Sequence, residues 1–152
     1  PVAMGFAQSL ARPGGRLTGI SIYGAEIIGK QIEILREAVP GMRAFAAFLQ
    51  AANPGNPVLR RGLEDAAARL GLRAAVLDIE RVDQLAAAFE WVSRQSVDAL
   101  HVMADPILAG HSRAIFKMAL DYRLPTMAGN ATWVNVGALM SYTIDLIAIV
   151  RR

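Results

Sequence analysis

The stretch AFAAFLQAANPGNPVLRRGLEDAAARLGLRAAVLDI, residues 44–79, contains the pattern that decides the fold. Two short apolar runs, residues 44–49 and 72–79, have the length and composition of buried strands. Between them, apolar side chains recur at helical spacing, at Leu59, Leu63, Ala66 and Leu70. Gly71 follows at the position where a left-handed residue commonly ends a helix. The stretch therefore predicts a strand, a helix and a second strand.

The same alternation extends to both sides of this stretch. Further strands are predicted at residues 17–23, 99–103, 126–128 and 138–142. The helix predicted before residue 44 ends at Pro40-Gly41, and its apolar face is formed by Ile28, Ile32, Leu35 and Val39. Strands that alternate with helices form parallel sheets covered on both faces. We therefore expect an α/β fold of three layers, with a doubly wound, mostly parallel sheet.

Composition excludes several classes of protein. Hydrophobic residues make up 54% of the 152 residues and charged residues 19%, which is typical of a folded domain. Charged residues or prolines interrupt every apolar run before the roughly 18–20 residues that a membrane span requires, so a soluble domain is expected. The net charge of +3 is spread without a basic block, which argues against a nucleic-acid partner. With no cysteine, disulfides and thiolate chemistry are excluded.

Binding residues are expected at the carboxyl ends of the strands, because ligands bind there in open parallel α/β sheets. The loop Asn53-Pro54-Gly55-Asn56-Pro57 follows the first strand of the opening stretch. Its two amides can hold a carboxylate or another polar group of a ligand. Alternatively, Asn56 is a plain N-cap and Pro57 the first helical residue.

A second strand end carries Asp105-Pro106. Its carboxylate can bind an ammonium or hydroxyl group, or it can cap the helix that follows. His101 lies inside an apolar strand, where we expect a core or sheet-edge position with satisfied hydrogen bonds, and His111 is expected to face solvent. The two histidines lack the companion ligands of a metal site, so neither a metal nor a cofactor is predicted.

The two tryptophans and the absence of common enzyme motifs narrow the possible functions further. Trp133 follows a predicted strand, where it either stacks on a flat ligand or anchors a surface loop or an interface. Trp91 is expected to pack or to lie on a partly exposed helix flank. The sequence contains no Gly-x-Ser-x-Gly elbow, Walker-type phosphate loop or Gly-x-Gly-x-x-Gly turn. Common hydrolases, nucleotidases and dinucleotide-binding enzymes are therefore disfavoured.

Several strings occur in a specific order along nearly the whole chain. They are GFAQSLARPGG at residues 5–15 with Leu17-Thr18-Gly19, Gly29-Lys30 through Glu37-Ala38-Val39-Pro40-Gly41, Asn53-Pro54 with Asn56, Asp105-Pro106, Tyr122-Arg123-Leu124-Pro125 and GALMSY at residues 137–142. In this order they resemble the bacterial ABC-transporter substrate-binding proteins related to the tryptophan/tyrosine-uptake type.

This resemblance implies a type I periplasmic-binding fold, in which two flavodoxin-like α/β lobes close on a ligand. Residues 1–41 would be the end of the first lobe and a crossover helix, and residues 42–136 the second lobe. Residues 137–152 would be a hinge strand and the start of a helix that returns to the first lobe. The sequence departs from the family pattern at Thr143, where relatives usually have Gly, and at residues 130–134. These departures bear on hinge geometry and ligand preference.

The resemblance also implies the site and the function. Asn53, Asn56 and Asp105 would line the second lobe's side of the cleft, and the hinge near Ala138 would flank it. The protein would be a non-catalytic receptor that captures a small polar or aromatic solute, such as an amino acid, and delivers it to an ABC permease. It would work in the periplasm or otherwise outside the cytoplasm, with an export signal upstream of Pro1.

Two other functions stay open, and one property of the chain is expected whichever applies. The same fold serves as the ligand-sensing domain of transcription regulators, and an enzyme could use Asp105 and His111 as an acid/base pair. A chain that contains one lobe and part of another exposes apolar surface, so self-association is expected.

Overall fold

The structure, a computed structural model, describes residues 2, 5, 7–9, 11–16 and 24–144. Its helices are α1 (Gly24–Ala38), α2 (Asn56–Leu70), α3 (Leu85–Arg94), α4 (Pro106–Gly110) and α5 (Ser112–Asp121). Its strands are β1 (Ala44–Gln50), β2 (Arg73–Ile79), β3 (Ala99–Val102), β4 (Thr126–Ala128) and β5 (Met140–Ser141), and two 3-10 helices span Val82–Gln84 and Ala131–Val136. Within the described residues, no helix is both long and apolar enough to cross a membrane.

The five strands form one parallel sheet in the order β2-β1-β3-β4-β5. β1 lies between β2 and β3, so that Phe45 pairs with Ala74 on one side and with Ala99 on the other. The chain thus adds β2 to one side of β1 and β3, β4 and β5 to the other. This order confirms the predicted doubly wound sheet.

Side chains of β1 alternate between two apolar cores, because successive residues of a strand point to opposite faces. Phe45 and Leu49 pack with residues of α1 and α2 on one face. Phe48 packs on the other face with residues of α3 and α5, and its ring meets that of Phe89 edge to face with centroids 5.4 Å apart. The residues from Ala44 to Leu49 are all buried. The helices therefore form two outer layers around β1, as predicted.

The predicted strands differ from the structure mainly at their ends. β3 ends at Val102, and β5 comprises Met140–Ser141 where the pattern predicted residues 138–142. β5 begins late because Gly137, with φ of +116°, and Ala138 still belong to the turn that ends the second 3-10 helix. The strand predicted at residues 17–23 lies outside the described residues.

Three polar groups form a hydrogen-bonded chain inside the core between β3 and α1. Nε2 of the fully buried His101 lies 2.8 Å from Oε1 of Gln31. Nε2 of Gln31 donates to the backbone oxygen of Tyr142 over 2.7 Å. His101 is therefore a core histidine, as predicted. Its hydrogen bonding is only half satisfied, because Nδ1 has no partner among the described residues.

Burial lowers the pKa of His101 from its usual 6.5 to about 4, because a charged imidazole would lose its hydration inside the core. In the unfolded chain this group takes up a proton near pH 6.5, and in the folded chain only near pH 4. The unfolded state binds more protons throughout that window, so the stability contribution is present above it and is lost as the pH falls. At roughly 1.4 kcal/mol per pKa unit, His101 should lower the free energy of unfolding by about 3 kcal/mol between pH 7 and pH 4.

Urea unfolding at a series of pH values measures this effect. His101→Leu should remove that part of the pH dependence, whatever its stability at pH 7, because no imidazole is left to titrate. His111→Leu is the matched control, since His111 is exposed, and it should retain the wild-type pH dependence. A His101→Leu curve parallel to that of the wild type would contradict the assignment.

Candidate functional site

The two strand ends that were predicted to carry binding residues lie side by side. β1 and β3 are parallel neighbours, so the loops after them, residues 51–55 and 103–105, leave the same edge of the sheet. The helix after β1 packs on one face of the sheet, whereas α5 packs on the other. Such a divergence creates the crevice in which ligands bind in open α/β sheets.

Asn53 and Asp105 are joined directly at this edge of the sheet. Nδ2 of Asn53 donates to Oδ2 of Asp105 over 3.0 Å, while Oδ1 of Asn53 accepts from the backbone N–H of Gly55 over 2.8 Å. Asp105 also begins α4, because its Oδ1 accepts from the N–H of Ile107 over 3.0 Å. The predicted capping role of Asp105 is therefore confirmed, and the structure brings together two of the residues proposed from the sequence.

Gln50, the last residue of β1, is a third member of this cluster. A carboxylate only accepts hydrogen bonds, so the Gln50 amide is oriented with its nitrogen toward Asp105. In this orientation Nε2 lies 2.8 Å from each carboxylate oxygen of Asp105. The sequence analysis did not single out Gln50, which directly follows the strand predicted at residues 44–49 and is the last residue of the observed strand. Its position as the first polar residue after the apolar run of β1 was the available signal.

The cluster holds a negative charge with neutral donors only. Asp105 is 5% exposed, and the groups that bond its carboxylate are two side-chain amides and one backbone N–H. Within residues 24–144 it forms no ion pair. A buried carboxylate without a cationic partner is a favourable place for an ammonium group to bind.

Asn56 does not cap α2, contrary to one of the two sequence interpretations. The N-cap is Gly55, and Asn56 is the first residue of the helix. The Asn56 side chain turns inward, where Nδ2 donates to the backbone oxygen of Gln50 over 3.0 Å and to Oδ1 of Asp78 over 2.7 Å. The turn explains this shift by one position, because the Asn56 N–H donates to the Asn53 oxygen and draws residue 56 into the helix. Asn56 thus joins the end of β1 to β2.

Ala138 lies away from this cluster. It precedes β5, which runs parallel to β4, and the next residue, Leu139, donates its N–H to the hydroxyl of Thr126 at the start of β4. Ala138 is therefore at the amino edge of the sheet, where it is buried in the core. The structure does not bring it together with Asn53 and Asp105.

Trp133 and His111 also lie outside the cluster. Trp133 is buried, with its ring centroid 5.7 Å from that of Phe116, so it anchors its loop in the core, and the alternative of stacking on a ligand was wrong. The 3-10 helix explains the difference, since Asn130 caps it at Thr132 and the following turn directs the indole into the core. His111 is exposed between α4 and α5, as predicted.

Gly129 permits the close approach that positions the Asp105 loop. It follows β4, and its N–H donates to the oxygen of Val102 at the end of β3 over 2.9 Å. A Cβ added at Gly129 would lie 2.5 Å from the backbone nitrogen of Ala104. Only glycine fits here without displacing the segment that carries Asp105.

Comparison with known proteins identifies the family. A family model described as ABC transporter substrate binding protein matches residues 1–149. The chain belongs to this family. The chain is 23% identical over 145 residues to a tyrosine-binding protein from Clostridioides difficile, an alignment that covers 95% of the chain and 41% of that protein.

Solved structures agree with the fold of the chain. A conserved domain protein from Vibrio cholerae has 19% identity and a TM-score of 0.87, covering 98% of the chain and 49% of that protein. The ABC domain of a Streptococcus pneumoniae protein in complex with L-Trp has 21% identity and a TM-score of 0.84, covering 95% and 48%. The chain thus spans less than half the length of these relatives and has the type I periplasmic-binding fold.

Replacing Gly129 tests how the Asp105 loop is held. Gly129→Ala should lower the free energy of unfolding by about 1–3 kcal/mol, because the new methyl group overlaps the backbone at Ala104. It should also shift the NMR signals of Asp105 and of the Asn53 side-chain amide, since the segment that carries Asp105 must move away from residue 129. Urea unfolding and amide spectra measure both effects.

Gly110→Ala is the matched control, because nothing lies within 4 Å of a Cβ at this helical glycine. It should leave the signals of the cluster in place and change stability little. Equal effects of the two substitutions would contradict the role given to the close approach at Gly129.

Proposed function

We propose that this chain supplies one lobe of the solute-binding component of an ABC importer, which captures a small solute and delivers it to a membrane permease. The cluster of Gln50, Asn53 and Asp105 at the carboxyl edge is the observation that carries this proposal. It offers polar groups at the crevice where the fold binds ligands. Membership of the substrate-binding family supports transport over the regulator and enzyme alternatives.

The proposed solute is an amino acid. Asp105 is a carboxylate whose bonds all come from neutral groups, so an ammonium group would gain a charge-assisted hydrogen bond there. The names of the relatives support the same class, since one is a tyrosine-binding protein and another was solved with L-Trp. Asn53 would offer its amide to the same solute, whereas Asn56 would act indirectly by fixing the shape of the loop.

The arrangement proposed for the whole protein follows the same family. Residues 1–41 would end the first lobe and cross over, residues 42–136 would form the second lobe, and residues 137–152 would be the hinge and the start of a returning helix. Closure of the lobes would exclude water from the solute. The protein would work outside the cytoplasm, without catalysing a reaction.

Calorimetry on the full-length protein tests the site with two ligands that differ in one group. L-tyrosine carries an ammonium group, and 3-(4-hydroxyphenyl)propionate is the same molecule without it. Asp105→Ala should weaken tyrosine binding by roughly ten- to a hundredfold, as expected for loss of a hydrogen bond to a charged group. Asn53→Ala should weaken it less, because Asp105 keeps its charge.

The two ligands and a control variant separate the possible outcomes. The propionate should bind weakly, and Asp105→Ala should change its affinity little. His111→Ala, at an exposed position, should bind tyrosine like the wild type. Unchanged tyrosine affinity in both Asn53→Ala and Asp105→Ala would refute the site.

We also propose that the isolated chain associates with itself. Leu120 and Leu139 are 75% and 56% exposed, and they border a cavity of about 350 Å³ that Phe116 and Leu124 also line. This surface lies at the edge of the sheet opposite Asp105, because Thr126 at the start of β4 is part of it. Contact between copies would remove apolar surface from water.

Light scattering at increasing concentration tests this association. The wild-type mass should rise above that of a monomer, and Leu120→Glu should lower it by placing a charge in the contact. Val58→Glu is the control, since Val58 is a 49% exposed hydrophobic residue on α2. A monomeric wild-type mass at all concentrations would contradict the proposal.

A further inference from the structure

The hydrogen-bonded chain formed by Gln31, His101 and Tyr142 ends at the edge of the sheet that carries the candidate site. Tyr142 directly follows β5. All five strands are parallel, so the chain leaves β5 at the same edge at which the loops with Asn53 and Asp105 leave β1 and β3. The polar chain therefore joins the buried middle of β3 to the point where the polypeptide leaves the sheet after β5.

Each of these three groups can act in only one way, as donor or as acceptor, in each of its hydrogen bonds. The carbonyl of Tyr142 only accepts, so Gln31 must donate to it from Nε2. The remaining oxygen of Gln31 then faces His101, which must donate from a protonated Nε2. This fixes the tautomer of His101, and Nδ1 is left as an acceptor without a partner among the described residues.

The surroundings of these side chains are apolar. Gln31 is 3% exposed and His101 is not exposed at all. Their neighbours along α1 and β3 include Ile28, Ile32 and Ala99, which belong to one apolar core. Apolar side chains at both positions would avoid the cost of burying an amide and an imidazole. What they could not supply is a donor aimed at the Tyr142 carbonyl.

We propose that Gln31 is a positioning residue: by bridging His101 and the carbonyl of Tyr142, it fixes the direction in which the chain leaves β5. His101 holds the Gln31 amide in one orientation, so that Nε2 of Gln31 points toward the position of the Tyr142 carbonyl. The exit after β5 is thereby tied to α1 and β3, both of which pack in the core.

The consequence for solute binding rests on the function proposed above. With residues 137–152 as a hinge strand and the start of a returning helix, a fixed exit at Tyr142 restricts the angles at which the two lobes meet. A loose exit would allow more open arrangements, and closing on the solute would then cost more conformational entropy. Loss of the bridge should therefore weaken solute binding although Gln31 does not touch the solute.

NMR relaxation of the 152-residue chain tests the positioning role without any solute. Gln31→Met keeps the length of the side chain and removes both hydrogen bonds. In the wild type, the backbone order parameters of residues 142–144 should lie near about 0.85, and in Gln31→Met they should fall below about 0.6. The ring nitrogens of His101 should report one fixed tautomer in the wild type and a mixture in the variant.

Two further variants control for a general loss of stability. Lys30→Met introduces the same side chain at the adjacent, exposed position of α1 and should leave all these signals unchanged. His101→Leu retains the donor of Gln31 but not its support, so residues 142–144 should show an intermediate loss of order. Order parameters at residues 142–144 that match the wild type in both Gln31→Met and His101→Leu would overturn the proposal.

Solute binding by the full-length protein tests the consequence separately. Gln31→Met should weaken tyrosine binding about tenfold, and Lys30→Met should not. Lost order at residues 142–144 with unchanged affinity would overturn the link to solute binding. If the wild-type protein binds no amino acid, the proposed function fails, and the order parameters and the His101 tautomer still decide whether Gln31 positions the chain.

Discussion

Parallel pairing of β1 between β2 and β3 is the constraint on which the rest of the structure depends. β1 is buried on both faces, so both layers of helices pack against it, and the loss of either would expose Phe45 or Phe48. The same pairing places the loops after β1 and β3 together at one edge. Core packing and the position of the candidate site are thus set by one strand.

Two sets of buried polar groups are organised around that sheet, in separate places. At the carboxyl edge, Gln50, Asn53 and Gly129 hold Asp105 or its loop in place. Inside the core, Gln31 connects His101 with Tyr142. Both sets connect distant parts of the sequence. Hydrogen bonds do this more specifically than apolar packing, because a hydrogen bond has a preferred direction and apolar contact has none.

The extent to which the site could be predicted depended on the range of the interaction. Asn53 and Asp105 were found because each follows an apolar run, and parallel strand ends share an edge. The bond between them spans 52 positions and has no local signature. The sequence placed Asn56 at the N-cap, whereas it is the first residue of the helix. A capping pattern does not reveal which carbonyl accepts the hydrogen bond that forms the turn.

The sequence by itself determined the order of strands and helices, the three-layer class and the residues at the strand ends, because periodicity and turn residues act over a few positions. The tertiary structure alone decided that Trp133 enters the core, that Ala138 lies at the far edge and that Gln31 meets His101. Those outcomes depend on which faces of distant elements pack together. The local sequence pattern indicates on which face of its own helix or strand a side chain lies, but not which distant side chain it will contact.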